Sequence, residues 1–249
     1  MLTKPELSIV LPAYNEEDNI VRAISKVDEA ISSLGFTYEI IVVNDGSNDG
    51  TVKRALEYAQ NNNHVRVIGY PRNMGKGYAI KTGFMKAKGH AVIFLDSDLD
   101  IKPVRVKQYI QALDYGDIVI ASKRHPNSRV EVPPLRRFLS RGFNLLVRLL
   151  TRLDVSDTQS GLKAMRKDSL EKVFSSLLVK RYAFDVELLA VANLYGLKII
   201  EMPVSLKITN SLFNPKEIFK MFIDLLAITY RIRIKRYYQN HISNLIKNE

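Results

Sequence analysis

An α/β architecture, with a central and mostly parallel sheet flanked by helices, is predicted by three features of this 249-residue chain. Short, wholly apolar runs suited to strands buried on both faces alternate with longer helical patterns. Three of these runs end in polar turns, after Leu11, Val43 and Leu95, which gathers their carboxyl ends on one rim. The last turn carries Asp96, Asp98 and Asp100, two residues apart and therefore on one face of an extended chain. Negative charge concentrated at the carboxyl end of an interior strand marks a ligand crevice in an open α/β sheet. A hard divalent cation with oxygen ligands neutralises such a cluster best, while a solvated acidic turn capping the helix near Pro103 is the plainer alternative.

The elements follow in order. Leu7 to Leu11 reads as a strand stopped by Pro12, and Asn15 as the cap of a helix with Glu16, Glu17 and Asp18 in its first turn. Tyr38 to Val43 is a second strand, ending in Asn44-Asp45-Gly46-Ser47. A helix through Val52 and Leu56, a strand from His64 to Tyr70 and a helix opened by Asn73-Met74-Gly75-Lys76-Gly77 come next. Ala91 to Leu95 and Asp117 to Ala121 are the fourth and fifth strands. Beyond them a helix is expected over Leu135–Leu150, a strand over Gly161–Met165, a helix over Phe184–Leu194 and a strand over Lys198–Met202. From Pro215 to Tyr238 an amphipathic helix is expected, with Lys216, Lys220, Arg231, Arg233, Lys235 and Arg236 on its polar side. The organisation is thus a body over residues 1–212 and a basic helical tail over 213–249.

Composition narrows the function. Cysteine is absent, which excludes disulfides and thiolate metal sites, and the four His residues have no zinc-like spacing. No signal-peptide pattern opens the sequence, and the most apolar late window, Ile218 to Thr229, is interrupted by Lys220 and Asp224. The formal charge of +11 is uneven: eight Lys/Arg face one acid between Lys123 and Arg152, and eight face three from Ser205 to Glu249. That suggests an anionic partner such as a phosphorylated substrate or lipid headgroups. Nucleic acid is disfavoured, because the acidic rim repels a polyanion and no aromatics interleave with the basic residues. Neither a GxxxxGK[ST] loop nor a GxSxG nucleophile pattern occurs. Gly75-Lys76-Gly77 can cradle a phosphate at a helix start or simply cap the helix.

Taken as an ordered set, Pro12-Ala13-Tyr14-Asn15-Glu16, Asn44-Asp45-Gly46-Ser47, Asn73-Met74-Gly75-Lys76-Gly77, Asp96-Ser97-Asp98 and Asp157-Thr158-Gln159-Ser160-Gly161 resemble the motifs of inverting GT-A glycosyltransferases of family 2. Within that family the chain is most similar, over roughly residues 6 to 205, to the dolichyl (polyprenyl) phosphate hexose synthases. The resemblance implies a Rossmann-like GT-A fold and a nucleotide-sugar site. Pro12, Ala13, Tyr14 and Glu16 would line the base and ribose, and Asp45 would bond the base. Lys76 and Asp96 would attend the diphosphate, and Asp98, with Asp100, would hold Mg²⁺ or Mn²⁺. Asn44 departs from the commoner Asp of its motif.

Arg136-Arg137-Phe138-Leu139-Ser140-Arg141-Gly142 resembles the acceptor-phosphate segment of dolichyl-phosphate mannose synthases, which implies that Arg136 and Ser140, with Arg124, hold the acceptor phosphate. The Glu-Asp base and QxxRW motifs of relatives that attack with sugar hydroxyls are missing. Phe184-Asp185-Val186-Glu187 and Asp157-Thr158-Gln159 are similar to the glucose branch. The expected activity is therefore hexose transfer, with glucose favoured, from UDP-glucose (or GDP-mannose) to dolichyl or polyprenyl phosphate. A mannose-specific enzyme and a transferase with a glycan acceptor are the alternatives. The tail is expected to lie on the membrane surface, placing the enzyme peripherally at the cytoplasmic face.

Overall fold

A computed structural model describes residues 4–97, 105–207 and 215–247. Its main sheet is built from β1 (Leu7–Ala13), β2 (Tyr38–Asp45), β3 (Val65–Tyr70), β4 (Ala91–Leu95), β5 (Ile118–Ser122), β7 (Leu162–Arg166) and β8 (Ile199–Pro203). The strand order is β3-β2-β1-β4-β7-β5-β8. The chain winds outward from β1 to β3, then returns to β4 on the other side of β1, so the switch point lies between β1 and β4. β1 to β4 are mutually parallel; β7 alone runs antiparallel, wedged between β4 and β5.

Helices α1 (Ile20–Ser32), α2 (Thr51–Gln60), α3 (Lys76–Lys86), α4 (Val106–Ala112), α5 (Pro134–Thr151), α6 (Lys167–Ser176) and α7 (Phe184–Leu194) complete the body. One core beneath α1 and α4 gathers Ile9, Ile24, Ile40 and Ile93, and the other gathers Val10, Phe84, Phe94 and Phe174. In the second, the Phe84 and Phe174 rings stack at 3.6 Å between centroids.

The structure departs from the sequence reading in four places. Pro12 does not stop β1: pairing with β2 runs on through Pro12 and Ala13. Pairing with β4 ends at Val10, so one side of β1 is open where the proline's missing N–H falls. Asn15 does not cap α1, which starts at Ile20; it adopts φ 53°, and Glu16 to Asp18 sit in the turn before the helix. A short parallel pair, β6 (Arg129–Glu131) with β9 (Ser205–Lys207), was not expected. Finally, the tail is two helices, α8 (Pro215–Arg233) and α9 (Tyr237–Lys247), broken at Arg236 with φ 47°.

The break has a visible cause. Leu225, Ile228 and Ile232 of α8 bury one face in the second core, and the reversal carries Tyr238 into the same core. There its hydroxyl donates to Glu187 of α7, a fully buried carboxylate. Glu187 also accepts from the N–H groups of Leu178 and Val179 at 2.9 and 2.8 Å and lies 3.5 Å from Arg231. Burial pushes its carboxyl above the ordinary range, with the bonds from Tyr238, Val179 and Leu178 and the Arg231 charge opposing.

Tyr238→Phe removes the hydroxyl that donates to this buried acceptor and that also bonds Arg231. It is expected to lower unfolding free energy by about 1.5–3 kcal/mol in urea titrations; an unchanged midpoint would show that the hydroxyl contributes nothing.

Candidate active site

The turns after β1 and β2 brace each other. Asn15 N–H donates to Ser47 Oγ and Asn48 N–H to Asn15 Oδ1, both at 3.0 Å; Glu16 N–H reaches Thr51 Oγ1 at 2.8 Å. Asn44 accepts from Ser47 N–H, so its amide serves the turn. Above these turns and the switch point opens a cavity of about 460 Å³. Pro12, Ala13, Tyr14, Glu16, Asp45, Lys76 and Asp96 all line it. Seven residues read from the sequence as nucleotide-sugar contacts thus share one hollow.

Asp45, 3% exposed, organises the cavity floor. Its carboxylate accepts from Met74 N–H at 2.8 Å, from Gly75 N–H at 3.0–3.1 Å and from the Asn73 amide at 3.2 Å. Because Gly75's N–H is committed here, it is not available to cradle a phosphate. Both glycines of the motif answer to crowding instead. Gly75 has φ +102° and a Cβ on it would lie 2.6 Å from the Lys180 carbonyl oxygen; one on Gly77 would lie 2.3 Å from Phe184 Cβ. The motif's contribution to a phosphate is the Lys76 ammonium, 2.7 Å from Asp96 Oδ1.

Lys76 and Asp96 also line a second cavity, of about 1290 Å³, between α5 and α8. At its polar end Arg124 donates to the Ser140 carbonyl at 2.6 Å, to Ser140 Oγ at 3.2 Å and to the Ser156 carbonyl at 2.6 Å. Burial lowers the Arg124 guanidinium's pKa, against the attraction of Asp157 and Glu201 and with the repulsion of Arg141 and Arg148. A guanidinium carries five N–H donors, so donors remain for an anion. The other end is apolar, with Phe138, Leu146, Ile218, Phe219 and Phe222.

Two of the expected acceptor-phosphate residues, Arg124 and Ser140, are therefore neighbours. Arg136 falls on α5, but its side chain is outside the described part, as are Asp98 and Asp100. Among the described residues, no three His, Cys, Asp or Glu side chains form a metal-binding group.

Sequence reasoning missed Arg181, Tyr182 and Glu217, which line the small cavity. They arrive by tertiary contact: the Lys180 carbonyl accepts from Tyr78 N–H at 3.0 Å, docking the 180–182 loop on α3. No local signal marks them. Asp157, in contrast, turns away from both cavities to hold the loop behind them. It accepts from Lys123 N–H and Nζ at 2.9 and 3.0 Å and from Gln159 N–H at 3.2 Å. Glu201 on β8 braces the same loop through Ser156 Oγ at 2.6 Å.

A polar hollow over the switch point of a Rossmann-like sheet, opening into a second hollow with guanidinium at one end and apolar side chains at the other, is the architecture of a GT-A glycosyltransferase. The fold matches glucosyl-3-phosphoglycerate synthase of Mycobacterium tuberculosis, solved in complex with Mn²⁺, UDP-glucose and phosphoglyceric acid. That match has a TM-score of 0.67 and 23% identity, and covers 91% of this chain and 79% of that one; it is a likeness of fold.

The glycosyl transferase family 2 profile matches residues 8–174, and the chain belongs to that family. Similar relatives are the dolichyl-phosphate beta-glucosyltransferase of Drosophila melanogaster, 35% identical with 91% of this chain and 77% of that protein covered, and that of Homo sapiens, 36% identical over 80% and 67%. Dolichyl-phosphate beta-glucosyltransferase ALG5A of Trichomonas vaginalis is 34% identical over 92% of this chain and 74% of its own length.

The loop behind the cavities gives a pH test. Burial alone raises the Asp157 carboxyl, but the Lys123 charge and the N–H bonds outweigh it and hold it below the ordinary carboxylate range. Its stabilisation is then complete above the unfolded value of about 4 and lost as pH falls through the lower folded value. Asp157→Asn should be less stable by about 3 kcal/mol at pH 7, with the gap closing in acid. A gap constant from pH 7 to pH 2 in denaturant titrations would remove the carboxylate from this role.

Proposed function

We propose that the protein transfers glucose from UDP-glucose to dolichyl or polyprenyl phosphate with inversion at the anomeric carbon. The observation that carries the reading is the junction of two unlike cavities at Lys76 and Asp96, in a chain whose relatives are named as dolichyl-phosphate beta-glucosyltransferases. The uracil and ribose occupy the small cavity, with Asp45 accepting from the base. The diphosphate reaches Lys76, whose ammonium balances charge as the leaving group departs. The acceptor phosphate sits at Arg124, Ser140 and Arg136, and the first isoprene units lie along the apolar end of the large cavity.

The acceptor oxygen is already anionic at neutral pH, so no strong general base is required. Its lone pair forms the new bond to the anomeric carbon while the bond to UDP breaks, and no proton moves. Catalysis then consists of alignment and charge balance, and Arg124 and Lys76 do both from opposite sides. The donor chemistry suits a hard cation: the acids at the end of β4 offer only oxygen ligands, and the ligands would be Asp98 and Asp100. Mg²⁺ or Mn²⁺ there supplies further charge neutralisation on the leaving diphosphate.

Contact with the cytoplasmic face of a membrane supplies the acceptor. No described helix is long and apolar enough to cross a bilayer. The exposed apolar residues of α5 and α8, including Phe138 at 74% and Phe219 at 65%, flank the mouth of the large cavity. Arg137, Arg141 and Lys220 stand beside them, suited to anionic headgroups. Residues 1–212 then act as the transferase body, whose α5 shares the lipid-facing rim with the tail over 213–249.

The test is a donor panel with a single polyprenyl phosphate. Label should pass from UDP-glucose, at least tenfold faster than from GDP-mannose, and EDTA should stop it; transfer from GDP-mannose alone would replace the donor assignment. Asp98→Ala should lose transfer by about a hundredfold or more while keeping its circular dichroism, and full turnover would cancel its role. Arg136→Ala should raise the acceptor KM about tenfold or more with the UDP-glucose KM nearly unchanged; the reverse split would move Arg136 out of the acceptor site.

A further inference from the structure

The large cavity contains one carboxylate that this transfer leaves unused. Asp185, at the start of α7, lines the cavity with its side chain 14% exposed. Its Oδ1 lies 2.9 Å from Nζ of Lys163 on β7, whose side chain is 3% exposed. The same ammonium donates to the Ser160 carbonyl at 2.6 Å. A buried ammonium is tolerated when it is paired and hydrogen-bonded; here both partners fix it, and it in turn fixes the orientation of the Asp185 carboxylate. The Oδ2 atom accepts no hydrogen bond from any described residue. Asp185 is one of two acids in the first turn of α7, whose N-cap is Ala183, and it pairs with Lys163 rather than with a backbone N–H of the helix.

Its location follows from contacts on two sides. Phe184 packs on Gly77, immediately after Lys76, so the start of α7 abuts the start of α3. On the other side, Asp96 N–H donates to the Gly161 carbonyl at 3.1 Å, and a Cβ on Gly161 would lie 2.5 Å from Asp96 Oδ2. The wall made of Ser160, Gly161 and Asp185 therefore stands directly beyond the Lys76–Asp96 junction. Ser160 on that wall is buried, with a hydroxyl that has no hydrogen-bond partner. A donor whose diphosphate lies at Lys76 sends its next group, the hexose, against this wall.

We infer that Asp185 is the donor-specificity residue of the site: it accepts hydrogen bonds from hexose hydroxyls, with Lys163 as the positioning residue that aims it. The inference rests on the proposed nucleotide-sugar reading and goes further, giving the sugar a recognition group separate from the nucleotide and acceptor contacts. A site built to accept a sugar O–H rejects a donor that lacks or misplaces it, because the carboxylate is then left desolvated and unpaired.

The test compares UDP with UDP-glucose by calorimetry on the full chain with Mn²⁺ present. In Asp185→Asn the affinity for UDP-glucose should fall about tenfold or more while that for UDP stays within about twofold. Asp185→Glu keeps the Lys163 ion pair and displaces the carboxylate by one methylene. It should show the same selective loss, which covers the case in which the neutral variant fails to fold. Unchanged affinities, or equal losses for both ligands, would overturn the inference. If the wild-type chain binds neither ligand, the nucleotide-sugar reading itself fails and this assignment falls with it; a wild type that binds both, with variants that do not discriminate, sinks Asp185 alone.

Discussion

The Lys76–Asp96 ion pair is the contact on which the site depends. It joins the end of β4 to the start of α3 at the point where the two cavities meet. Both side chains are about a third exposed, so the pair adds little to stability. Its value is geometric. Asp45 holds the loop before Lys76, close packing against Lys180 and Phe184 requires Gly75 and Gly77, and Gly161 crowds Asp96 from behind. A cation is thereby fixed at a rim otherwise rich in acids, where an incoming diphosphate needs it.

The C-terminal helices belong to the same mechanical system. Glu187 ties Tyr238 of α9 and Arg231 of α8 to the Leu178–Val179 segment, which leads straight into the Arg181 and Tyr182 wall of the small cavity. Glu217 of α8 reaches that cavity as well. The helices that present apolar side chains outside are thus packed against the loop that shapes the nucleotide hollow inside. Exposed residues such as Phe219 and Ile223 and buried ones such as Leu225 and Ile228 alternate along α8, which explains why one helix serves both surfaces.

Much of this was legible in the sequence because strand ends are local. Apolar runs ending in polar turns located Pro12–Tyr14, Asp45 and Asp96 on one rim, and in the structure they line one cavity. The antiparallel direction of β7 was not legible, since an apolar run carries no sign of its partner's direction. Nor was the break at Arg236, where no glycine or asparagine marks the left-handed residue and the driving force is a distant carboxylate. Asp185 and Glu187 looked alike, two acids in the first turn of one helix. Burial separates them: one faces a cavity and the other locks the tail.

The most direct measurement is a crystal structure of the full chain with Mn²⁺ and UDP-glucose. The expected density places the uracil over Pro12 to Tyr14 with a bond to Asp45, the diphosphate on Lys76, and the hexose beyond Asp96 facing the cavity that holds Arg124 and Ser140. Nucleotide density confined to the Arg124–Ser140 cavity, or a diphosphate that leaves Lys76 untouched, would contradict it.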